Sequence, residues 1–113
     1  MHEVSIIQNV ISIVCEKASE NNLEKVNKVS LKIGELSGVH EDSLRFAFNS
    51  VSKDTIACGA ELIIEKVEAT GKCNSCNISF KIDHFNKLCP KCKKFCDSVL
   101  SGYELYINTI EGD

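Results

Sequence analysis

Apolar residues near the start of the chain recur every three or four positions, which is the spacing of one helix face. This pattern predicts a helix over Ser5–Asn21, with apolar positions Ile7, Val10, Ile11, Val14 and Ala18. Ser5 and Gln8 fit a capping box, so the helix is expected to begin at Ser5. The same spacing predicts a second helix over Glu41–Ser52, whose acidic first turn suits the helix dipole.

Three further segments have the composition or the alternation of β-strands. Val26–Leu36 alternates apolar and polar residues, which predicts a strand with one buried face. Ala60–Ala69 carries apolar residues on both faces, and Ser98–Ile110 alternates again. The chain is therefore expected to combine two helices with three strands.

Size and composition limit the class of protein. The chain has 113 residues, the size of one ordinary domain. No apolar run approaches the roughly 20 residues that span a bilayer, and no signal-peptide pattern opens the sequence. We therefore expect a cytoplasmic protein without a membrane partner. Thiols stay reduced in that compartment, and an odd count of 7 cysteines cannot pair completely, so the cysteines are interpreted as ligands and spare thiols.

The net charge of −3 is unevenly distributed along the sequence. Residues 71–97 carry six lysines against two aspartates, a formal +4, which leaves −7 on the remainder. An acidic body argues against broad nucleic-acid binding, whereas the basic segment keeps a zinc-ribbon nucleic-acid-binding module as the alternative function. Steep salt dependence of DNA or RNA binding would favour that alternative.

Two C-x-x-C pairs are the most specific motif in the chain. Cys73 and Cys76 form the first pair, and Cys89 and Cys92 form the second after a twelve-residue loop. Four thiolates at this spacing can surround one tetrahedral ion, usually zinc, and leave no open position for a substrate. Iron is the competing ion in such a site, and colour would distinguish the two.

The segment between the predicted second and third strands holds this motif. Its 27 residues, Gly71–Asp97, bury too little apolar surface to order themselves, so metal binding is expected to supply their folding energy. We therefore expect a zinc-binding domain at 71–97 and a second domain formed by 1–70 plus 98–113. His84 lies inside the segment as a less favoured replacement ligand. The roles of Cys15, Cys58 and Cys96 are left open, although a buried apolar role suits Cys15.

A second metal site is suggested by Met1-His2-Glu3. The amine of Met1, the backbone nitrogen of His2 and the His2 imidazole can close two fused chelate rings around one ion. The Glu3 backbone nitrogen or another side chain would complete a planar site of the kind that Ni²⁺ and Cu²⁺ prefer. His40 is a further candidate ligand. From the dipeptide alone, however, a frayed chain end is the commoner explanation.

Five motifs together resemble the HypA family, and they occur in that family's order over nearly the whole chain. Besides the two cysteine pairs with Pro90, they are Met1-His2-Glu3-Val4-Ser5, Ile33-Gly34-Glu35-Leu36-Ser37-Gly38-Val39, Ser43-Leu44-Arg45-Phe46-Ala47-Phe48, and Gly102-Tyr103-Glu104-Leu105-Tyr106-Ile107 with Ile110-Glu111. HypA proteins are nickel metallochaperones of NiFe-hydrogenase maturation, and some bacterial members also serve urease.

The resemblance implies a fold, ligands and partners. The implied fold class is α+β, with two helices packed on a three-stranded sheet and an inserted zinc-ribbon-like lobe. Nickel, the transferred cargo, would bind the residues matching Met1, His2 and Glu3, and structural zinc would bind the four cysteines. The implied partners are the GTPase HypB, the hydrogenase large subunit and, where urease is served, urease accessory proteins.

The functional hypothesis is accordingly a binding and transfer protein rather than an enzyme. A nickel carrier needs a site that a partner's ligands can reach, and a chain terminus meets that need. The sequence contains no G-x-S-x-G, P-loop or H-E-x-x-H motif, and the cysteine site has no open coordination position. Either a monomer or a strand-exchanged homodimer is compatible with the sequence.

Overall fold

The computed structural model describes residues 2–113 of the chain. Within that range two helices and six strands follow one another as α1 (Glu3–Glu20), β1 (Val26–Gly34), α2 (Glu41–Val51), β2 (Glu61–Val67), β3 (Thr70–Cys73), β4 (Ile78–Lys81), β5 (Ser98–Ser101) and β6 (Leu105–Gly112). The strands form two three-stranded sheets, ordered β2-β1-β6 and β4-β3-β5. The predicted α+β class is confirmed.

Helix α1 has the predicted apolar face but begins earlier than predicted. Its buried residues are Ile6, Ile7, Val10, Ile11, Val14 and Ala18. The N-cap residue is His2, whose carbonyl oxygen accepts a hydrogen bond from the Ile6 amide at 3.1 Å. The predicted capping box at Ser5 is therefore wrong, because Ser5 already lies inside the first turn. The helix ends at Glu20, and the side-chain amide of its C-cap residue, Asn21, donates to the Lys17 carbonyl at 2.8 Å.

Helix α2 follows the prediction to within one residue. His40 is its N-cap, Glu41 and Asp42 occupy the first turn, and Ser52 is its C-cap. The apolar face, formed by Leu44, Ala47 and Phe48, is buried. Helices α1 and α2 pack against each other. This packing explains why the apolar spacing predicted both helices. Each helix buries its apolar stripe and leaves its polar face exposed.

The predicted third strand is two strands in different sheets, so this prediction was wrong. β5 ends at Ser101 and pairs with β3, whereas β6 begins at Leu105 and joins β1. Gly102 separates them and has a φ of +127°, a backbone conformation that residues other than glycine rarely adopt. Its amide donates to Glu104 Oε1 at 2.7 Å, which fixes the turn. The predicted second strand, Ala60–Ala69, is present as β2 and ends two residues earlier than predicted, at Val67.

The chain divides into two compact units. The first comprises Met1–Leu31, Val39–Glu65 and Tyr106–Asp113, and the second comprises Lys32–Gly38 and Lys66–Leu105. The second unit has its own small apolar cluster, which consists of Leu36, Ala69 and Ile82 with Phe80 and Cys96 packed against it. These bounds differ from the predicted functional division at 71–97, which stays a prediction. Neither helix in the described range is long and apolar enough to cross a membrane.

Candidate metal centre

Two similar turns position the four cysteines in the second unit. β3 ends at Cys73, and the Cys76 amide donates to the Cys73 sulfur at 3.4 Å. Asn77 then reverses the chain into β4 with a φ of +53°. In the second turn, the Lys93 amide donates to the Cys89 carbonyl at 2.9 Å, and Lys93 has a φ of +64°. In each turn a left-handed residue directly follows the second cysteine, and all four sulfur atoms converge.

The sulfur atoms lie at the separation that one tetrahedral ion requires. All four Sγ atoms are within 4.8 Å of one another, and those of Cys73 and Cys92 are 3.7 Å apart. A zinc–sulfur distance of about 2.3 Å in a tetrahedron gives sulfur–sulfur distances of about 3.8 Å, far longer than the roughly 2 Å of a disulfide. Cys73 and Cys89 are buried, and the other two are half-buried. The donor set therefore fits zinc.

The pKa values of the cysteine thiols indicate which of them a bound cation would have to deprotonate. Hydrogen bonds from the amide of Cys92 and then that of Lys91 outweigh burial and lower the pKa of Cys89 from 9.0 to about 7. Burial, followed by the neighbouring thiols, raises the pKa of Cys76 to about 12. The Cys76 amide lowers the pKa of Cys73, but burial and the thiols of Cys92 and Cys89 together raise that pKa above its usual value. A divalent cation would reverse these raised values, because coordination deprotonates thiols.

The remaining thiols and His84 lie outside this cluster. Between residues 2 and 113, the four cysteines are the one group of three or more metal-ligand side chains whose ligand atoms converge. Cys96 packs against the apolar cluster of the second unit, and Cys58 is exposed. Cys15 is only half-buried, so it is less enclosed than its apolar surroundings suggested.

The amino-terminal candidate site begins outside the described residues, because Met1 is not among them. His2 is exposed and extended, with φ −79° and ψ 140°, and Glu3 is the first residue of α1. The Glu3 amide therefore lies in the first turn, where helix N–H groups have no intrahelical acceptor. A shallow cavity of about 420 Å³ adjoins both residues and is also lined by Asp42, Ser43 and Phe46 of α2.

The structure brings the backbone of His40 to the Glu3 carboxylate, a contact that the sequence analysis did not predict, although it offered His40 as a further candidate ligand. The Glu3 carboxylate accepts a hydrogen bond from the His40 amide at 3.4 Å. The backbone N–H of Glu3 itself, then that of His40, lowers the pKa of the Glu3 carboxyl. Because the two residues are 37 positions apart, no local motif signals the contact.

The Glu35 carboxylate forms hydrogen bonds that connect segments within the second unit. Its carboxylate accepts hydrogen bonds from the Ala69 amide at 2.9 Å and from the Lys81 ammonium at 3.1 Å. The Ala69 amide and then the Lys81 ammonium lower the pKa of the Glu35 carboxyl. The Leu36 amide also donates to the Gly102 carbonyl at 2.7 Å. These contacts join the turn after β1 to the segments around β3, β4 and β5.

Comparison with known proteins is consistent across sequence and structure. The family model described as "Hydrogenase/urease nickel incorporation, metallochaperone, hypA" matches residues 1–112. A hydrogenase maturation factor HypA from Chlorobaculum parvum is 44% identical over 110 residues, which are 97% of each chain. One from Geotalea uraniireducens is 40% identical over 111 residues, 98% of each chain. The solution structure of the Ni metallochaperone HypA from Helicobacter pylori aligns with a TM-score of 0.69 at 27% identity, covering 99% of this chain and 97% of that one.

Proposed function

This chain belongs to the HypA family of metallochaperones for nickel incorporation into hydrogenase and urease, and we propose that it binds Ni(II) at its own N-terminus and delivers it. The expected target is a NiFe hydrogenase, with urease as a second recipient. The observation that carries the proposal is the family match over residues 1–112, which includes the Met1-His2-Glu3 start.

The position of His2 supports the proposed nickel ligands. Its imidazole and backbone nitrogen, together with the Met1 amine, would form two fused chelate rings. The Glu3 amide offers a fourth nitrogen, since the first N–H groups of a helix have no intrahelical acceptor. Nitrogen-rich planar coordination suits Ni(II) and disfavours zinc. Because the His40 amide contacts the Glu3 carboxylate, we propose the His40 imidazole as the alternative to the Glu3 amide for the fourth position.

Exposure of His2 supports transfer rather than storage. The residue is exposed and precedes the first helical turn, so ligands from a partner could approach an ion there directly. A nickel ion enclosed by the core would instead require the fold to open before release. We expect the carrier to act without catalysing a reaction of its own.

Zinc is the metal proposed for the cysteine cluster. The sulfur separation of 3.7 Å between Cys73 and Cys92 is close to the about 3.8 Å of a tetrahedral zinc site. Four thiolates complete the coordination shell, so zinc there would stabilise the fold and bind no substrate. Its folding contribution would be large, because the segment around the cysteines has few apolar residues to bury.

The proposed partners follow from the maturation role of the family. We propose that the protein acts with the GTPase HypB and hands nickel to the hydrogenase large subunit, with urease accessory proteins as partners where urease is the target. We expect this exchange to take place in the cytoplasm, where cysteine ligands stay reduced.

Nickel titration of tag-free protein tests the proposal. In His2→Ala we expect stoichiometric Ni(II) binding to be lost while one zinc per chain is retained, as measured by calorimetry and metal analysis. His84→Ala is the matched control, since His84 is an exposed histidine outside the cysteine cluster, and it should titrate like the native protein. Unchanged nickel affinity in His2→Ala would contradict the assignment.

A short uncleaved extension before Met1 tests the amine separately. The extension converts the amine into an amide and leaves His2 in place, so nickel binding should weaken markedly. An extended protein that titrates like the native one would show that the amine is not a ligand.

A further inference from the structure

The cysteine-bearing segment exposes large apolar side chains that its own fold does not use. Phe85 is 99% exposed, Phe95 is 75% exposed and Leu88 is 40% exposed. All three lie within eleven residues of one another around the second cysteine pair. Leaving this much aromatic surface in water is unfavourable, and grouped exposed apolar residues commonly mark interaction sites.

The backbone around these residues is held in one arrangement. Leu88 and Phe95 face each other in an antiparallel bridge. The Cys96 amide donates to the Lys87 carbonyl at 2.9 Å, and the Cys89 amide donates to the Lys94 carbonyl at 2.8 Å. Leu88 and Phe95 are therefore presented by a hydrogen-bonded hairpin that also carries the second cysteine pair. Phe85 lies in the preceding turn, where the Asp83 amide donates to the Asn86 carbonyl at 3.0 Å. Such preorganisation lowers the entropic cost of binding.

A groove adjoins Leu88 on this hairpin. It has a volume of about 370 Å³ and is lined by Phe80, Leu88 and Pro90, with Lys81 and Lys93 among its other lining residues. The Lys81 ammonium already lies 3.1 Å from the Glu35 carboxylate. Lys93 is exposed and has a left-handed backbone fixed by the cysteine turn. The groove thus brings apolar residues and lysines together, and Lys93 is its lysine that lies outside the ion pairs of Lys81 with Glu35 and Glu68.

Both aspartates of residues 71–97 accept hydrogen bonds from backbone amides. One oxygen of Asp83 accepts hydrogen bonds from the Phe85 and Asn86 amides, both at 2.7 Å. Asp97 accepts one from the Asn74 amide at 2.6 Å. Lys91, Lys93 and Lys94 are exposed on the same hairpin. The exposed lysines therefore outnumber the two carboxylates near the apolar residues.

We propose that this surface, made of the hairpin residues Leu88, Lys93, Lys94 and Phe95 and of Phe85 in the preceding turn, docks an acidic protein segment that carries apolar side chains. The apolar side chains of the partner would cover Leu88 and the two phenylalanines, while its carboxylates would meet the lysines. None of these residues is among the amino-terminal residues assigned to nickel, so the proposal can be tested on nickel-free protein.

Charge favours a protein partner over a nucleic acid. The formal charge of residues 71–97 is +4, and four thiolates with one divalent cation would reduce it to about +2. The remainder of the chain carries −7, which would repel a long polyanion. A short acidic segment meets only the local surface, whereas nucleic-acid binding relies on neutralising many phosphates.

Selection of a random dodecapeptide library on the zinc-loaded, nickel-free protein tests the proposal without assuming a partner. We expect enriched peptides to be acidic and to contain aromatic or aliphatic residues. Their binding should weaken at least about tenfold in a Phe85→Ala/Phe95→Ala double variant. In Lys93→Glu it should weaken about fivefold or more, with a shallower salt dependence.

Matched controls come from the other unit. Phe46 is a 76% exposed phenylalanine and Lys53 is an exposed lysine, so Phe46→Ala and Lys53→Glu should bind the selected peptides within about twofold of the native protein. Zinc content confirms that each variant is folded. Failure to enrich acidic peptides, or equal binding by the hairpin variants, would overturn the proposal. Competition by a single-stranded oligonucleotide at about 0.2 M salt would instead identify a nucleic-acid surface.

Discussion

Replacement of Gly34 by alanine is expected to be the most damaging small change in the second unit. Gly34 is the last residue of β1, and an added Cβ would collide with the backbone carbonyl of Gly102 and lie 2.6 Å from the Tyr103 amide nitrogen. Neither obstacle is a side chain that could rotate away. The two segments are also tied together, since the Gly34 amide donates to the Glu104 carbonyl at 2.8 Å.

The size of the effect follows from that geometry. Overpacking a close contact typically costs about 1–3 kcal/mol, and a backbone obstacle places Gly34→Ala at or above the upper end, at about 3 kcal/mol. With a urea m-value of about 1–3 kcal/mol/M, the unfolding midpoint of zinc-loaded protein should fall by roughly 1–3 M. Circular dichroism in a urea series measures this shift directly.

Gly38 provides a matched control in the same unit. It has a φ of +75°, and a Cβ there would meet no atom within 4 Å. Gly38→Ala should therefore cost only the left-handed backbone penalty of about 1–2 kcal/mol. If Gly34→Ala is no less stable than Gly38→Ala, the close approach of β1 to the Gly102 turn does not constrain the protein, and the reasoning fails.

Three further predictions concern the metal sites. Glu3→Pro should weaken nickel binding at least about tenfold, because proline suits the first helical position but has no amide proton to lose to the metal. Glu3→Gln, the control, should bind nickel with near-native affinity. Equal nickel affinities of the two variants would exclude the Glu3 amide as a ligand. Zinc binding near neutral pH should release roughly two protons or more, since the pKa values of Cys73 and Cys76 are raised, so affinity should fall with falling pH. Calorimetry in buffers of different ionisation enthalpy measures that release, and proton-neutral binding would contradict it. Zinc removal should accelerate amide exchange across 71–97 while α1 keeps its protection, and uniform acceleration along the chain would argue against a separate zinc-binding domain.

The sequence predicted the features that depend on local spacing. The apolar periodicity located both helices to within about two residues, because each helix buries one stripe of its own surface. The cysteine cluster was predicted for a similar reason, since two C-x-x-C turns can each direct a pair of sulfur atoms toward one ion. The family resemblance, carried by ordered motifs, was confirmed by the match over residues 1–112.

The features that sequence reasoning missed depend on distant partners. The single predicted third strand became β5 and β6, because one half pairs with β3 and the other with β1. β3, β4 and β5 have only four residues each, too few to establish an alternation. The start of α1 was misplaced because His2 is the N-cap residue, so that Ser5 already lies inside the first turn.

By itself, then, the sequence determined the candidate chemistry of the chain: its candidate ligand atoms, their spacing along the chain and the two helices. Tertiary structure decided that Glu3 contacts His40, that Glu35 binds Lys81, and that Phe85 and Phe95 remain outside the core. The physical reason is one of range. Chelate spacing and helical periodicity are set by a few successive residues, whereas contacts across 37 or 46 positions and the exposure of a side chain exist only after separate segments have packed.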